Sequence, residues 1–233
     1  MTIKSAMLAT TALALACATS QASERPMYVD VGGGANWIHD QAARTTRNTT
    51  FAEWFGMQSS GDTGFVLTAA IGAHLDSLVH GFRVELEASY RRNSADGVWG
   101  SSTPRMSMPS VGNLEFDEST WAVLANAWYD VDLGSFRPYI GGGAGWAETK
   151  LEGRYFGRNP RRLIDFSGDG FAWQLGAGIN FEISENTTIG IGYRYFSSPD
   201  VEILPPNLSN RAIDGSVNDI RSQSVVIDLS FSL

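Results

Sequence analysis

The sequence predicts an all-β protein, an eight-stranded antiparallel up-and-down transmembrane β-barrel. Three observations indicate this fold class. Apolar and polar residues alternate with a period of two in eight segments, and two is the side-chain period of a β-strand. Short and long connections between these segments alternate along the chain. Aromatic residues lie at both ends of the apolar faces, as they do where strands cross the two interfaces of a membrane.

The N-terminal 22 residues have the composition of an export signal. Lys4 provides a basic start, an apolar run follows from Ala6 to Ala18, and small residues then form a cleavage signal. We therefore expect a signal peptide over residues 1–22 and a barrel with four long extracellular loops over residues 23–233. Cys17 lies in the apolar run, where it is either removed with the signal peptide or acylated as in a lipoprotein.

The first three predicted strands are Met27–Trp37, Phe65–His74 and Phe82–Arg91. The third shows the alternation most clearly, because every second residue is charged or a serine and every residue between is apolar. A helix would distribute these charges around its circumference, whereas a strand places them all on one face. The charged face of this strand is formed by Arg83, Glu85, Glu87, Ser89 and Arg91.

The same alternation predicts five further strands after the third. They are Trp121–Asp130, Arg137–Trp146, Phe171–Glu182, Thr188–Phe196 and Ser224–Ser232. Turn residues in short segments join strands two to three, four to five and six to seven. The other connections are long: Ile38–Gly64, Arg92–Thr120, Ala147–Gly170 and Ser197–Gln223. One end of the barrel is therefore expected to carry tight turns and the other end four long loops.

Alternation alone leaves the direction of the apolar face open. A soluble lipocalin-like barrel or a sandwich turns this face inward, and a membrane barrel turns it outward. Aromatic residues at both ends of a strand, such as Phe82 with Tyr90 and Trp121 with Tyr129, favour the membrane barrel. The export signal favours it as well.

Several segments carry a resemblance to a known family. They are Gly81–Arg91, Asn126–Asp130, Arg137–Gly145, Gly190–Tyr195 and the last strand. Through them the chain resembles the small outer-membrane β-barrel proteins of Gram-negative bacteria, which include the OmpA-type transmembrane domain and the Opa-like surface proteins. The resemblance implies contact with outer-membrane lipid and lipopolysaccharide, and with the barrel-assembly machinery during biogenesis.

The polar face of each strand is expected to line a narrow lumen. Eight strands leave space that side chains can fill, and charges there must pair because an isolated buried charge is costly. We expect Arg83 and Arg194 to bridge Glu85, Glu87 and neighbouring acids. The inward polar set comprises Asp30, Arg83, Glu85, Glu87, Arg91, Asn126, Asp130, Gln174, Asn180, Glu182, Arg194 and Asp228. This set forms either a structural plug or a narrow ion path.

Enzymatic chemistry has little support in the sequence. Glu85 and Glu87 are flanked by arginines, which indicates charge balance rather than an acid–base pair. The three histidines are too scattered for a metal site, so no cofactor is expected. A lipid-modifying outer-membrane enzyme remains the less favoured alternative. The formal net charge of −8 argues against nucleic acid as a partner.

The third long loop carries the one basic cluster of the mature chain. It contains Arg154, Arg158, Arg161 and Arg162, and guanidinium groups suit phosphate and carboxylate ligands. Lipopolysaccharide phosphates and an extracellular glycan or host ligand are the candidate partners. The expected function is therefore structural and surface interaction, with envelope integrity and loop-mediated binding, and the alternative is a porin-like narrow ion or solute channel.

Overall fold

The computed structural model describes the barrel and parts of its connections. The described residues are 27–38, 44–46, 52–57, 63–102, 110–155, 161–199, 201–203, 214–217 and 220–233. The predicted signal peptide, residues 1–22, lies outside them. No helix of the described part is long and apolar enough to cross a membrane.

The described elements are all β-strands. They are β1 (Met27–Ile38), β2 (Arg44–Thr46), β3 (Ala52–Met57), β4 (Gly64–His74), β5 (Phe82–Ser102), β6 (Ser110–Asp130), β7 (Phe136–Tyr155), β8 (Arg161–Ser184), β9 (Thr187–Ser197), β10 (Val201–Ile203), β11 (Asp214–Val217) and β12 (Arg221–Ser232). The eight longer strands form a closed antiparallel barrel, which confirms the predicted fold class.

Each barrel strand pairs with its neighbour along the chain, and β1 pairs with β12 to close the barrel. The short strands lie outside this circuit. β3 pairs with the far end of β5, while β2, β10 and β11 form a separate three-stranded sheet. We call the end with the tight connections the turn end and the opposite end the loop end.

The apolar faces of the barrel strands point outward. Val31, Leu67, Ile140 and Ile227 are 51%, 53%, 64% and 57% exposed. A soluble barrel would bury these residues, so the outward orientation excludes that alternative. We call the outward aromatic rings near the loops the loop-end girdle: Trp37, Phe65, Tyr90, Trp121, Trp146, Phe171, Trp173 and Tyr195. The turn-end girdle comprises Phe82, Tyr129, Phe136, Phe181 and Phe231.

Rings of the loop-end girdle contact one another across strands. Phe65 and Tyr90 have ring centroids 6.0 Å apart, and Tyr90 and Trp121 have centroids 4.6 Å apart. Such pairs stabilise neighbouring strands in addition to the area that they cover. The segments between the two girdles are the membrane-spanning part of the barrel.

Four strands continue well beyond the loop-end girdle, which corrects the prediction of two long loops. Most of Arg92–Thr120 and Ala147–Gly170 belongs to β5, β6, β7 and β8, which have 21, 21, 20 and 24 residues. Beyond the membrane, the outward face of a strand no longer has to be apolar. The alternation of apolar and polar residues therefore ends at the girdle although the strand does not.

The turn between β4 and β5 depends on a glycine. Gly81 has a φ of 76°, a left-handed conformation that disfavours other residues. Its N–H donates to Asp76 Oδ1 at 2.7 Å, and its carbonyl accepts from the Asp130 N–H at 2.7 Å. This turn therefore fixes the start of β5, where the charged inward face begins.

Candidate functional site in the barrel interior

Arg83 is the centre of the first buried charge cluster. It lies on the inward face of β5 and is 8% exposed. Its Nε donates to Asp130 Oδ2 at 2.8 Å, and its Nη1 donates to Tyr28 OH at 3.0 Å and to Glu85 Oε2 at 3.3 Å. Tyr28 OH in turn donates to Glu85 Oε2 at 2.9 Å. The guanidinium group therefore joins β1, β5 and β6 across the lumen.

Arg194 is the centre of the second cluster, on β9. Its Nη1 donates to Glu87 Oε2 at 3.0 Å, and its Nη2 lies 3.7 Å from Asp228 Oδ2. All three side chains are buried. Buried charges are tolerated only when they are paired and hydrogen-bonded. Arg194 supplies that pairing to one acid on β5 and to another on β12.

Two amides connect the clusters. Asn126 Nδ2 donates to Glu85 Oε1 at 2.9 Å and to Glu87 Oε2 at 3.0 Å. Gln174 Nε2 donates to Glu87 Oε2 at 3.1 Å and to Asn126 Oδ1 at 2.9 Å. The structure therefore brings most of the predicted interior set into one continuous network. We call this the luminal network: Tyr28, Arg83, Glu85, Glu87, Asn126, Asp130, Gln174, Arg194 and Asp228.

Trp128 fills the space between the two arginines and is fully buried. The centroid of its ring lies 5.7 Å from Arg83 Cζ and 4.6 Å from Arg194 Cζ, distances of cation–π contacts. The ring of Tyr139 meets it edge-on, with centroids 5.5 Å apart and an interplanar angle of 80°. A large apolar ring thus occupies the lumen where two cations face each other.

Inward glycines provide the room for this ring. A Cβ atom at Gly141 would lie 2.7 Å from Trp128 Cε3, and one at Gly176 would lie 3.1 Å from Trp128 Cη2. The Cβ at Gly176 would also lie 3.0 Å from Arg194 Cδ. These separations are too short for ordinary packing, so the tryptophan and the arginine require glycine on the facing strands.

Nearer the loop end, the lumen contains a small apolar cluster. Its buried members are Ala122, Leu124, Ala147, Ala172 and Phe196. Arg91, a member of the predicted interior set, lies over it with Cζ 3.8 Å from the centroid of the Phe196 ring. Its Nη1 donates to Ser89 at 2.6 Å. Arg91 therefore stacks on an aromatic ring in the lumen, and it takes part in none of the ion pairs observed among the described residues.

Three other predicted interior residues lie toward the turn end. Asp30 is half-buried and accepts a hydrogen bond from Ser230. Asn180 Nδ2 approaches Asp130 Oδ1 at 3.4 Å, at the margin of the luminal network. Glu182 is exposed and pairs with Arg137, so it belongs to the mouth of the barrel rather than to its interior.

A cavity of about 80 Å³ opens at the turn end. Its lining includes Arg83 and Asp130 of the luminal network, together with His74, Arg137 and Glu182. Cavities of this size hold a few water molecules. The luminal network lies between this cavity and the apolar cluster.

Sequence analysis missed four luminal aromatic residues: Tyr28, Trp128, Tyr139 and Phe196. Each lies at an inward-facing position of its strand. It is either two residues away from a predicted inward residue on the same strand or paired with one on the neighbouring strand. That position was the available signal. Aromatic side chains were instead assigned to the membrane interfaces, although a ring can also fill a lumen lined by glycine.

The histidine and acidic side chains of the described part do not gather into a metal site. No group of three or more histidine, cysteine, aspartate or glutamate side chains there could hold a metal ion. His74 packs against Tyr28 with ring centroids 5.1 Å apart, and His80 lies in an exposed turn. His39 lies outside the described residues.

The predicted basic loop is described only in part. Arg154 pairs with Arg162 across the β7–β8 hairpin, and Tyr155 pairs with Arg161. Arg158 lies outside the described residues, and the arrangement of the other arginine side chains is not described either. The backbone register nevertheless places three of the four arginines at the end of one hairpin.

Sequence relatives of this chain are outer membrane proteins. An outer membrane protein of Gluconacetobacter diazotrophicus is 28% identical over 196 residues, which cover 78% of this chain and 49% of that protein. The outer membrane protein PagN of Salmonella typhimurium is 28% identical over 124 residues, which cover 52% of each chain. The chain thus spans about half the length of the curated relatives it matches.

Solved structures share the fold at low identity. Neisserial surface protein A matches with a TM-score of 0.52 and 14% identity over 89% of this chain and 97% of that one. The outer membrane protease OmpT from Escherichia coli matches with a TM-score of 0.51 and 7% identity over 92% and 100%. The family model that describes the outer membrane protein β-barrel domain matches residues 8–218 of this chain. The chain therefore belongs to the outer membrane β-barrel protein family and is a protein of the Gram-negative outer membrane.

Proposed function

We propose that this chain is a non-conducting outer-membrane barrel that stabilises the envelope and presents its extracellular strands and loops for binding. The observation that carries the proposal is the packing of Trp128 between Arg83 and Arg194. It fills the lumen with a ring and two paired cations. In this proposal the interior holds the barrel closed, and contacts with other molecules are made at the loop end.

The luminal contacts support a plug rather than a path. An ion moving through the lumen would have to displace Trp128 and also separate Arg194 from Glu87, which lie 3.0 Å apart. Leaving one charge of such a buried pair without its partner costs about 3–5 kcal/mol. Beyond this layer it would meet Leu124 and Phe196 of the apolar cluster.

The proposed function includes neither catalysis nor a cofactor. Glu85 and Glu87, the neighbouring carboxylates that could suggest acid–base chemistry, both accept hydrogen bonds from arginine and from Asn126. Carboxylates held in this way balance charge. They are also separated from the solvent by the surrounding luminal side chains.

An ion-flux experiment tests the plug. The mature protein is folded into lipid vesicles that contain a potassium-sensitive dye, and a potassium gradient is applied. We expect the influx to match that of protein-free vesicles, because the packed lumen leaves no continuous path. Influx that increases with the number of folded barrels per vesicle would contradict the proposal.

A narrow channel is the second candidate function. The cavity at the turn end and the charged lining of the lumen favour it, because both would hydrate a permeating ion. In that case bulky substitutions near Glu87 should abolish the flux. The two candidate functions therefore differ in whether the folded barrel conducts ions.

We further propose that the β7–β8 hairpin binds anionic groups. The register places Arg154 directly opposite Arg162, and like charges in such a position destabilise a hairpin unless an anion lies between them. Planar guanidinium groups suit phosphate and carboxylate. The candidate partners are lipopolysaccharide phosphates and an acidic extracellular glycan.

A further inference from the structure

Glu118 is a buried acid outside the membrane-spanning part of the barrel. It lies on β6, three residues beyond Trp121 of the loop-end girdle. The outward residues on either side of it, Asp117 and Ser119, are polar and partly exposed. Glu118 itself points inward and is 7% exposed. Its Oε2 atom has no hydrogen-bond partner among the described residues.

The described residues that face this carboxyl group on the neighbouring strands are neutral. On β5 it faces Asn93, and on β7 it faces Leu151. Thr120, two residues along β6, forms a hydrogen bond with it. A chain of hydroxyl groups continues from Thr120 Oγ1 to Thr149 Oγ1 at 2.9 Å and on to Ser198 Oγ at 2.5 Å.

The charged side chains of the neighbouring strands do not pair with the Glu118 carboxyl group. Arg91 is diagonally placed on the inward face of β5, but its guanidinium group is bound to Ser89 and stacked on Phe196. No arginine, lysine or histidine of the described part lies within 4 Å of the Glu118 carboxyl group. The charged residues Arg92, Asp117, Glu148, Lys150 and Glu152 of the neighbouring strands lie on the outward face.

We propose that Glu118 is a protonation-dependent clamp that links extracellular pH to the rigidity of the β5–β8 extensions. When protonated, the acid is neutral and fits the neutral layer that holds β5, β6 and β7 together beyond the membrane. When ionised, it becomes a buried charge without a cation, which favours opening of this layer to water. The inference goes beyond the proposed function, because it depends neither on a ligand of the loops nor on a closed lumen.

The predicted pH window follows from proton linkage. Burial raises the pKa of the Glu118 carboxyl group from 4.5 to about 7, while its hydrogen bond with Thr120 acts in the opposite direction. The closed state therefore keeps its proton up to about pH 7, whereas an opened, hydrated carboxyl group loses it above about pH 4.5. The opening constant should rise by about tenfold per pH unit between these values and level off above pH 7.

A carboxyl titration tests the clamp directly. The mature barrel is prepared in lipid nanodiscs with ¹³C-labelled glutamate side chains, and Glu118→Gln identifies the signal by its loss. We expect this signal to titrate near pH 7 in the wild-type protein. Titration near the ordinary value would show that the carboxylate has an ionic or solvent partner, and it would overturn the proposal.

Amide hydrogen exchange measures how often the layer around Glu118 opens to water. The exchange rates of β6 and β7 amides beyond the girdle are compared between wild type and Glu118→Gln at each pH, so that the intrinsic pH dependence of exchange cancels. The ratio of the wild-type exchange rate to the Glu118→Gln exchange rate should rise about tenfold per pH unit from about pH 4.5 to about pH 7. A ratio that does not change with pH would overturn the proposal.

Glu148→Gln is the matched control. Glu148 lies on the neighbouring strand β7 opposite Trp121, faces outward and pairs with Lys150 at 3.1 Å. The Glu148→Gln substitution should leave the pH dependence of amide exchange as it is in the wild type. If Glu148→Gln abolished that dependence as Glu118→Gln should, the effect would not belong to the buried acid. If Glu118→Gln failed to fold, Glu118→Asp would identify the signal by its loss, because aspartate keeps the carboxyl group but does not carry the glutamate label.

Discussion

Arg83 lies in the barrel interior because three acceptors surround its guanidinium group. Asp130, Glu85 and the hydroxyl group of Tyr28 each take a hydrogen bond from it. Trp128 and Tyr139 add aromatic faces at 5.7 and 5.1 Å. A single residue thus joins strands that are far apart in sequence.

Replacing Arg83 by leucine should destabilise the barrel strongly. The substitution leaves Asp130 and Glu85 buried without their cation, and such a loss costs about 3–5 kcal/mol. Urea unfolding in lipid vesicles, followed by the heat-dependent gel mobility of the folded barrel, measures the change. Arg137→Leu is the control, because the exposed pair of Arg137 with Glu182 contributes at most about 1 kcal/mol. Equal unfolding midpoints for the wild type and both variants would contradict the role of the luminal network.

At the level of the strands, two different environments decide what the sequence can predict. Between the girdles, lipid on one face and the lumen on the other impose alternation, so the spanning parts of all eight strands are evident from the sequence. Beyond the girdle this requirement ends. β5 therefore continues from its predicted end at Arg91 to Ser102 without an apolar pattern to show it.

The β7–β8 hairpin should bind anionic glycolipid through its arginines. Joint replacement of Arg154, Arg158, Arg161 and Arg162 by glutamine removes four cations from the loop end and should leave the spanning barrel folded. Binding of the detergent-solubilised barrel to lipopolysaccharide vesicles should fall several-fold, and the dependence of binding on salt should weaken. Arg137→Gln is the control, because Arg137 lies at the turn end of the barrel. Unchanged binding by the fourfold variant would remove the hairpin from the proposed function.

On the scale of the whole molecule, the barrel is closed by contacts between residues distant in sequence. Arg194 on β9 binds Glu87 on β5, and Gln174 on β8 binds the same carboxylate. The inward face of each strand could be assigned from its alternation, and this placed the polar residues in the lumen. The ion pairs of Arg83 with Glu85 and of Arg194 with Glu87 agree with the bridging expected from the sequence. The hydrogen bonds of Asn126 and Gln174 could not be assigned, because they depend on side-chain conformations across the lumen that no local pattern encodes.

The luminal aromatic residues show a second limit of sequence analysis. Trp128 has the inward parity of Asn126 and Asp130, yet an aromatic residue in a membrane barrel usually indicates a membrane interface. Its inward position requires glycine on two facing strands, at Gly141 and Gly176. Only the register between β6, β7 and β8 brings these three residues together.

Single-channel recording in a planar bilayer tests the central claim, that Trp128 and its two arginines close the lumen. Heat-dependent gel mobility first establishes that the wild type, Trp128→Gly and the lipid-facing control Trp121→Ala are folded. We expect no conductance steps from wild type or Trp121→Ala, and small steps from Trp128→Gly, because its loss leaves a gap between Arg83 and Arg194. Steady, salt-dependent steps from the folded wild-type barrel would contradict the account.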